Sequence, residues 1–569
     1  MIILGISGPF EHDPSAAILV DGKIVAACEE ERFIRKKHAI WELPINSIHY
    51  CLEAAKAKPA DINVIAYPWS PLAYKRGKWA YFWNVLGYRT SLAYKTIKKE
   101  TQRCKSQKNR ARVMLERSGI DPLKVKIEHV EHHLAHAASA YNLSGFKDAA
   151  VMTIDGAGEF VSTMFAEGVG GNIRKIKEIY YPDSLGLFYS IITEYLGFEM
   201  NDGEYKVMGM APYGEAAKAD FSKIIKFDEY GYKMNQRYVY IKNNEKYIPS
   251  KSFSRRMVKD WGPPREGDDL KAPYTHIAAG AQKILEDVTL KLLNTYLRDI
   301  LERNDGRLCF AGGCALNVSL NRKILEQPYV KEFFVQPAAG DAGTALGAAV
   351  YVAHKSGDAI QKMDHVYLGP EYSAKEIEEA LKTNNLKYEN SREIEKVAAS
   401  LLTRGEAVGW FQDRMEFGPR ALGNRSILGN PSIQGVSDRI NAIIKYREKW
   451  RPFCPSVLEG FENEIFENYH ESEFMTMSFL VKNPWKKRIQ EVVHVDGTAR
   501  PQIVKKEKNA KFHNLISSFY ENTGIPLLLN TSMNRRGEPM VCSPQDAINM
   551  FVDSGLKYLV MGDFLASKQ

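Results

Sequence analysis

The pattern that most limits how this chain can fold occurs twice. Near the start, the apolar run Ile2–Ser7 feeds the loop GPFEHDPS, then AAILV, an Asp21–Gly22 turn and KIVAACEEERF. From Ala149 to Tyr180 the order recurs as VMTID, the loop GAGEFVS, TMFAEGVGGN and IRKIKEIY. Short apolar runs punctuated by Asp-Gly and Gly-Gly read as antiparallel strands joined by tight turns. In each copy the first loop holds glycine and an acidic residue. Two copies of one supersecondary unit imply an internally duplicated domain.

A repeat of this kind is what a duplicated ribonuclease-H-like, actin-like ATPase fold would show, its paired first loops facing each other across a nucleotide cleft. Helices are expected around 45–57 and in HHLAHAASAYN between the copies, and in SLGLFYSIITEYLG after the second. The stretch Asp202-GEYKVMGMAPYG holds too much glycine and proline to read as a helix, so Lys206 is expected in a loop. Residues 217–270 read as a charged excursion, and Thr275–Glu302 as a long amphipathic helix. The strand Leu308–Ala311 ends in Gly312–Gly313, with Asn317 capping or entering a helix. A glycine pair there lets backbone amides approach a phosphate or ribose, and a plain tight turn would use the same residues. FFVQPAAGDAGTALGAAVYVA adds a strand, a glycine loop with Asp341, and a helix with Gly343 and Gly347 on one face. That face suits close packing or close approach to a nucleotide. With helices expected at 374–383 and 392–404, the chain reads as a first domain at 1–355, a linker at 356–385 and a second domain at 386–569.

Candidate chemistry sits in two places. His132 and His136 are four apart in an Ala-rich helix, so both imidazoles share one face. The apolar run Ala149–Ile154 delivers Asp155 to the turn Gly156–Gly158. Two imidazoles and a carboxylate are plausible ligands for a divalent metal, with Asp341 a candidate fourth; ordinary histidines and a turn aspartate would give the same spacing. His133, Leu134 and Ala135 lie between the two histidines, so there is no HExxH and no zinc-peptidase base. In the second half, Arg414, Arg420, Arg425, Lys445, Arg447, Lys449 and Arg451 crowd into one stretch. Arg420 and Arg451 each adjoin a proline in a loop-like setting, which favours an anion pocket over solvated helix faces. GPRALGNR lacks the GK[ST] ending, so this is no P-loop.

Composition narrows the classes. A chain of 569 residues has room for two or more full cores, and 44% hydrophobic with 26% charged residues is ordinary for a globular protein. No apolar run reaches the ~18 residues of a membrane helix, and MIILGISG reads as a strand, so no membrane partner is expected. The seven cysteines form no CxxC pair, which suggests a reducing cytoplasm and neither a disulfide framework nor a zinc finger. The net charge of +8 is concentrated: residues 68–115 carry twelve Lys/Arg against one Glu, interleaved with Trp69, Trp79, Phe82, Trp83 and Tyr88. Such a stretch could bind nucleic acid, but a helical insertion with a solvated basic face is the preferred reading.

HHLAHAASA, DGAGE, AGGCALN and GDAG resemble the actin-like metal–nucleotide domain of the enzymes that form threonylcarbamoyladenosine on tRNA. WFQDRMEFGPRALGNRSIL, KYREKWRPFCPSV and LLLNTSMN resemble the C-terminal half of the antibiotic and nodulation O-carbamoyltransferases, a divergent YrdC-like α/β domain. In this order the motifs resemble the whole O-carbamoyltransferase family over nearly all 569 residues. The resemblance implies two linked reactions. The C-terminal domain would make carbamoyl adenylate from carbamoyl phosphate and magnesium-bound ATP, releasing phosphate and pyrophosphate. The N-terminal domain would then transfer the carbamoyl group to a hydroxyl of a small-molecule, secondary-metabolite acceptor, releasing AMP.

It also implies residue roles. Arg420, Lys445, Arg451 and Arg500 would be the cations of the first site, with Asn530 and Ser532 as hydrogen-bonding partners. His132, His136, Asp155 and Asp341 would hold the metal of the second, iron(II), beside nucleotide contacts at Gly156, Gly158, Gly312, Gly313 and Asn317. His12 matches a histidine near the transferred group and is suited to act as general base, though a turn residue capping Asp13–Pro14 is an equal reading. Lys206 would neutralise the leaving phosphate. Competing readings are a tRNA-modifying enzyme of the threonylcarbamoyl type and a non-catalytic nucleotide-binding regulator; the hydrogenase-maturation relatives carry CxxC zinc fingers that this chain lacks. Acceptor selectivity is expected in 68–115 and 217–270.

Overall fold

Both meanders form, and each is completed by two parallel strands. In the computed structural model, which describes residues 1–8, 12–86, 90–239 and 251–568, the first sheet contains β1 (Ile2–Ser7), β2 (Ser15–Val20), β3 (Lys23–Glu29), β4 (Val64–Tyr67) and β5 (Lys126–His129). Pro9–Glu11 of the first loop, Tyr88 of the basic stretch and 240–250 of the excursion lie outside the described residues. The second sheet contains β6 (Asp148–Gly158), β7 (Val161–Val169) and β8 (Asn172–Tyr180), then β11 (Arg307–Ala311) and β12 (Glu332–Val335); β9 (Ile225–Phe227) and β10 (Tyr232–Met234) make a separate ribbon. The orders are β3-β2-β1-β4-β5 and β8-β7-β6-β11-β12. In the first, β4 runs parallel to β1 and β5 to β4; in the second, β11 runs parallel to β6 and β12 to β11. One order used twice is the ribonuclease-H-like duplication that the two meanders predict.

The helices follow α1 (Glu30–Ile34) and α2 (Ile45–Ala54) with an inserted pair, α3 (Pro71–Leu86) and α4 (Thr90–Arg117), on the basic stretch. Then come α5 (His132–Ser144), α6 (Leu185–Tyr195), α7 (Glu204–Met210), α8 (Arg255–Trp261), α9 (Tyr274–Arg303), α10 (Val318–Leu325) and α11 (Gly343–Lys355). Helix α11 packs on both β1 and α5. A Cβ on Gly5 would run into Ala345 O, and one on Gly347 into Ala135 O, so glycine is what allows both approaches. Here Gly347 serves helix packing.

The loop expected at 202–214 is instead α7 followed by a 3-10 turn over Ala211–Tyr213. The breakers stand at the margins: Gly203 is the residue before the helix, and Pro212 falls beyond its end. Val207 and Met210 are buried and the helix packs on α9, which outweighs the ~1 kcal/mol cost of Gly209 inside it. Lys206 is therefore a helical residue.

By internal contacts the chain forms two units: residues 1–10, 19–23 and 59–362 in one, and 11–18, 24–58 and 363–569 in the other. The second unit thus includes early segments placed by sequence in the first domain. Its sheet has eight strands in the order β13 (Tyr388–Asn390), β22 (Phe564–Ser567), β21 (Tyr558–Met561), β14 (Val408–Phe411), β15 (Arg425–Gly429), β20 (Leu527–Ser532), β16 (Cys454–Leu458), β19 (Gln502–Val504). The two-residue strands β17 (Phe479–Leu480) and β18 (Thr498–Ala499) pair separately. Helices α12 (Ala374–Thr383) and α13 (Ile394–Thr403) appear where expected, α12 opened by a Ser373/Glu376 capping box inside the span expected as linker. The runs VGWF, RSILG and the start of LLLNTS are buried throughout, as central strands covered on both faces must be.

Candidate functional site

In the first unit, three elements bring His132, His136, Asp155 and Asp341 together, each residue offering a ligand atom within 4.8 Å of the others. One helical turn of α5 separates the two histidines, and their Nε2 atoms lie 3.1 Å apart. Asp155 Oδ2 is 3.2 Å from His132 Nε2 and 3.0 Å from His136 Nε2; Asp341 Oδ1 is 3.5 Å from each. The strand carrying Asp155 does not stop at Ile154 as the sequence suggests. It continues to Gly158 through an irregularity in its pairing with β7, and that bulge turns the carboxylate toward α5.

Backbone groups fix the ligands. Asp155 Oδ1 accepts from Gly156 N at 2.8 Å and Gly313 N at 3.2 Å, leaving Oδ2 for the histidines. Glu159 accepts from the amide of His132 at 2.9 Å and from that of Ser70, tying the first turn of α5 to the chain ahead of α3. Burial pushes the Glu159 carboxyl up to about 7 against the His132 amide. A Cβ on Gly158 would clash with the His132 ring, and one on Gly312 with the Ile154 carbonyl. His133, the unused neighbour, is buried, bonded to Thr153 Oγ1 and Val161 O, and held below the usual histidine range by burial and then by His132 and His136.

His136 is fully buried, and although burial opposes its charge, hydrogen bonds to Asp155 and Asp341 push it up to about 9. Two imidazoles and two carboxylates converging from α5, β6 and the Asp341 loop form a mixed N/O donor set that fits a first-row divalent cation. Of the expected nucleotide residues, Gly156 borders open space, since a Cβ there meets nothing within 4 Å. Asn317 caps α10 through Leu320 N and exchanges two hydrogen bonds with Gln282, so its amide is committed to the fold. Lys206 lies 5.2 Å over the Phe198 ring.

His12 lies in the second unit, where Asp13 joins it to His38: His12 Nδ1 is 2.9 Å from Asp13 Oδ2, and His38 Nδ1 is 2.8 Å from Oδ1. Burial works against the Asp13 carboxylate, but the two histidines hold it well below its usual range. Asp13 and His38 carry no motif that sequence reasoning singled out. Only the fold joins residues 25 apart.

Around the end of β20 the second unit brings together Lys445, Ser532, Asn530 and Arg500 of the expected anion-site residues. Lys445 ends a π-helical turn, Ile440–Lys445, and donates to Ser532 O at 2.7 Å, Ser532 Oγ at 3.2 Å and Asn534. Its ammonium is buried, and burial together with Arg447, Arg451 and Lys37 drives its pKa well below the lysine range. Asn530, two residues before Ser532 on the same strand face, pairs in register with Cys454, whose Sγ accepts from Arg500 at 2.9 and 3.1 Å. Asn530 Nδ2 donates to Ser456 Oγ and to Ala421 O beside Arg420, while its Oδ1 is buried with no hydrogen-bond partner. Arg451 is 3.4 Å from Glu448.

Two cations counted toward this pocket belong elsewhere. Arg425 is fully buried and donates to the carbonyls of Gln412, Asp413, Asn424, Pro370 and Cys542. Arg414 donates to Gly369, Val25 and Leu368 carbonyls and to the Tyr50 hydroxyl. Backbone carbonyls, not ligand oxygens, take their charge.

A family model described as the carbamoyltransferase N-terminus matches residues 2–350, and one described as the carbamoyltransferase C-terminus matches 399–568. The nodulation protein NolNO of Sinorhizobium fredii is 36% identical over 577 residues, covering 100% of this chain and 80% of that protein. The nodulation protein NolO of Bradyrhizobium diazoefficiens is 37% identical over 448 residues, covering 77% of this chain and 79% of its own. Among solved structures, HypF of T. kodakarensis aligns with 63% of this chain and 48% of its own at 13% identity and a TM-score of 0.31.

Proposed function

The chain belongs to the carbamoyltransferase family and is a transferase, and from that premise we propose that it makes and uses carbamoyl adenylate. Carbamoyl phosphate, ATP and water give carbamoyl adenylate, phosphate and pyrophosphate in the YrdC-like second unit. A hydroxyl of a small-molecule acceptor then attacks the carbamoyl carbon in the first unit, and AMP leaves. The observation that carries the reading is the convergence of His132, His136, Asp155 and Asp341 to within 4.8 Å in a domain of ribonuclease-H-like order.

Two anionic substrates require fixed cations, and the surroundings of β20 supply them. Lys445, held by Ser532 and Asn534, is a point charge whose depressed pKa an incoming phosphate would raise. Arg420, Arg451 and Arg500 add planar donors suited to phosphate oxygens. The buried, unpartnered Oδ1 of Asn530 is suited to accept from a carbamoyl NH₂, the one donor such a substrate offers. In the first unit the four ligands would hold a divalent metal, which we take to be iron(II), supplying Lewis-acid polarisation when bound. Gly156 and Gly313 hold Asp155 in place, and Lys206 is placed in the role of neutralising the leaving phosphate. His12, hydrogen-bonded to Asp13 within the second unit, is the general base that the resemblance implies for the acceptor hydroxyl.

The test needs no acceptor. Exchange of pyrophosphate into ATP should require carbamoyl phosphate and disappear in Arg451→Ala. Folded protein supplied with magnesium and iron(II) that shows no exchange would overturn the adenylation step.

A further inference from the structure

Helix α3 turns an apolar stripe outward. Leu72, Trp79 and Trp83 are 80%, 47% and 67% exposed. At 3.6 residues per turn they fall within about 40° of one another along roughly 16 Å of helix. The opposite face is fastened down: Ala73, Tyr74 and Tyr81 are buried, with Tyr74 and Tyr81 against Phe160, and Tyr81 also against Tyr181. Gly77 lies so close to the Glu159 carbonyl that a Cβ would clash. An amphipathic helix normally hides its apolar stripe. Here aromatic packing occupies one face and a second apolar stripe is left outside it.

The neighbouring helix is cationic. Lys98, Lys105 and Arg112 follow one another at seven-residue spacing on α4, with Lys108 alongside, and all four are exposed. Lys78, on the flank of α3 beside Trp79, donates to Thr101 Oγ1 at 3.1 Å. Thr101 lies on the same exposed side of α4 as Lys98 and Lys105, so the apolar stripe and the basic face adjoin. Lys75 is exposed on the stripe's edge.

We propose that the α3–α4 pair docks on an anionic lipid bilayer, lying in its surface with Leu72, Trp79 and Trp83 in the headgroup–acyl boundary and the α4 lysines over acidic headgroups. Tryptophan with an aliphatic residue on one stripe and lysines beside it is the composition of interfacial helices. Single-stranded nucleic acid would match the charge and could stack on the tryptophans, but it offers nothing to a fully outward leucine. A protein groove would cover the leucine without needing the basic face. Among the described residues no helix is long and apolar enough to cross a membrane, but a helix that lies on a bilayer needs no span.

Full-length protein is sedimented with phosphatidylcholine vesicles made with and without phosphatidylglycerol. Wild type should pellet with the phosphatidylglycerol vesicles and be released by salt. Trp79→Ser with Trp83→Ser should lower partitioning at least about tenfold, as should Leu72→Ser in part. Lys98→Glu with Lys105→Glu and Lys108→Glu should remove the dependence on phosphatidylglycerol. All variants alter exposed side chains and should keep wild-type pyrophosphate exchange, which separates this surface from the catalytic reading. Failure of wild type to pellet, or unchanged pelleting of the double tryptophan variant, overturns the proposal. So would preferential binding of single-stranded RNA, or light scattering showing that the tryptophan variant only dissociates a dimer.

Discussion

Arg425 stacks 3.8 Å over the Phe411 ring and donates to five backbone carbonyls, so its removal takes a donor from the carbonyls of buried Gln412 and Cys542, while those of Asn424 and Pro370 also accept from backbone amides. At roughly 1–3 kcal/mol for each buried group left unpaired, Arg425→Met should cost at least about 3 kcal/mol. Arg425→Lys, with fewer donors and no fork, should recover only part of it. Thermal unfolding decides: a wild-type melting point for the methionine variant would mean the carbonyls find other partners. Lys445 is the contrasting cation. Between its depressed folded pKa and the ordinary lysine value the unfolded chain binds more protons, so its burial makes stability rise with pH across that window. A bound phosphate favours the ammonium, so binding should take up a proton there and weaken as pH rises. Calorimetry of ATP binding in buffers of different ionisation heat should show that uptake, and Lys445→Met should abolish it. Identical heats across buffers would remove Lys445 from the anion site. Spacing alone leaves the two residues indistinguishable members of one basic run, and only the resemblance singles out Lys445, because what separates them is which oxygens surround each, and those come from residues far along the chain.

Helices α5 and α11 form the element pair that positions the histidines proposed to hold the metal. A methyl at Gly347 would clash with Ala135 O and sit 2.9 Å from Ser139 Cβ, so α5, which carries His132 and His136, has to shift. Gly347→Ala should destabilise by about 1–3 kcal/mol and weaken metal binding by about tenfold or more, read by melting and by metal titration of the same protein. Gly156→Ala is the control: its Cβ meets nothing within 4 Å, so melting should not change, and only nucleotide affinity should fall. A metal affinity untouched by Gly347→Ala would show that α5 holds its ligands without α11. The pairing of His132 with His136 and the arrival of Asp155 were legible, since helical spacing and a strand run are local signals. The bulge that aims Asp155 and the helical state of Glu204–Met210 were not. Each depends on a partner element, β7 in one case and α9 in the other, that local composition does not report.

At the scale of the molecule, the duplicated sheet was readable because a repeat is a property of the sequence itself, whereas unit membership is a property of contacts. Residues 24–58 begin inside β3 of the first meander, yet they group with 363–569. The chemistry of that grouping is specific. Glu29 Oε1 accepts from Gly418 N at 2.7 Å, and Arg32 Nη2 donates to Gly418 O at 2.9 Å, so one glycine is held from both sides in the GPRALGNR segment. Arg35 donates to Met540 O at 2.6 Å and Pro539 O at 2.8 Å and lies 3.4 Å from Asp546. Arg414, which links Val25 and Tyr50 to Leu368 and Gly369, would lose all four acceptors in a fragment cut at the expected linker. Residues 386–569 expressed alone should therefore lack a cooperative melt and be digested quickly by protease, although they contain every cation assigned to the adenylation site. Adding residues 1–58 in trans supplies Glu29, Arg32, Arg35, Val25 and Tyr50 but not Leu368, and so should restore protection only partly. A fragment that melts cooperatively without them would mean that these contacts decorate an already stable sheet, and adenylation could then be studied on the C-terminal half by itself.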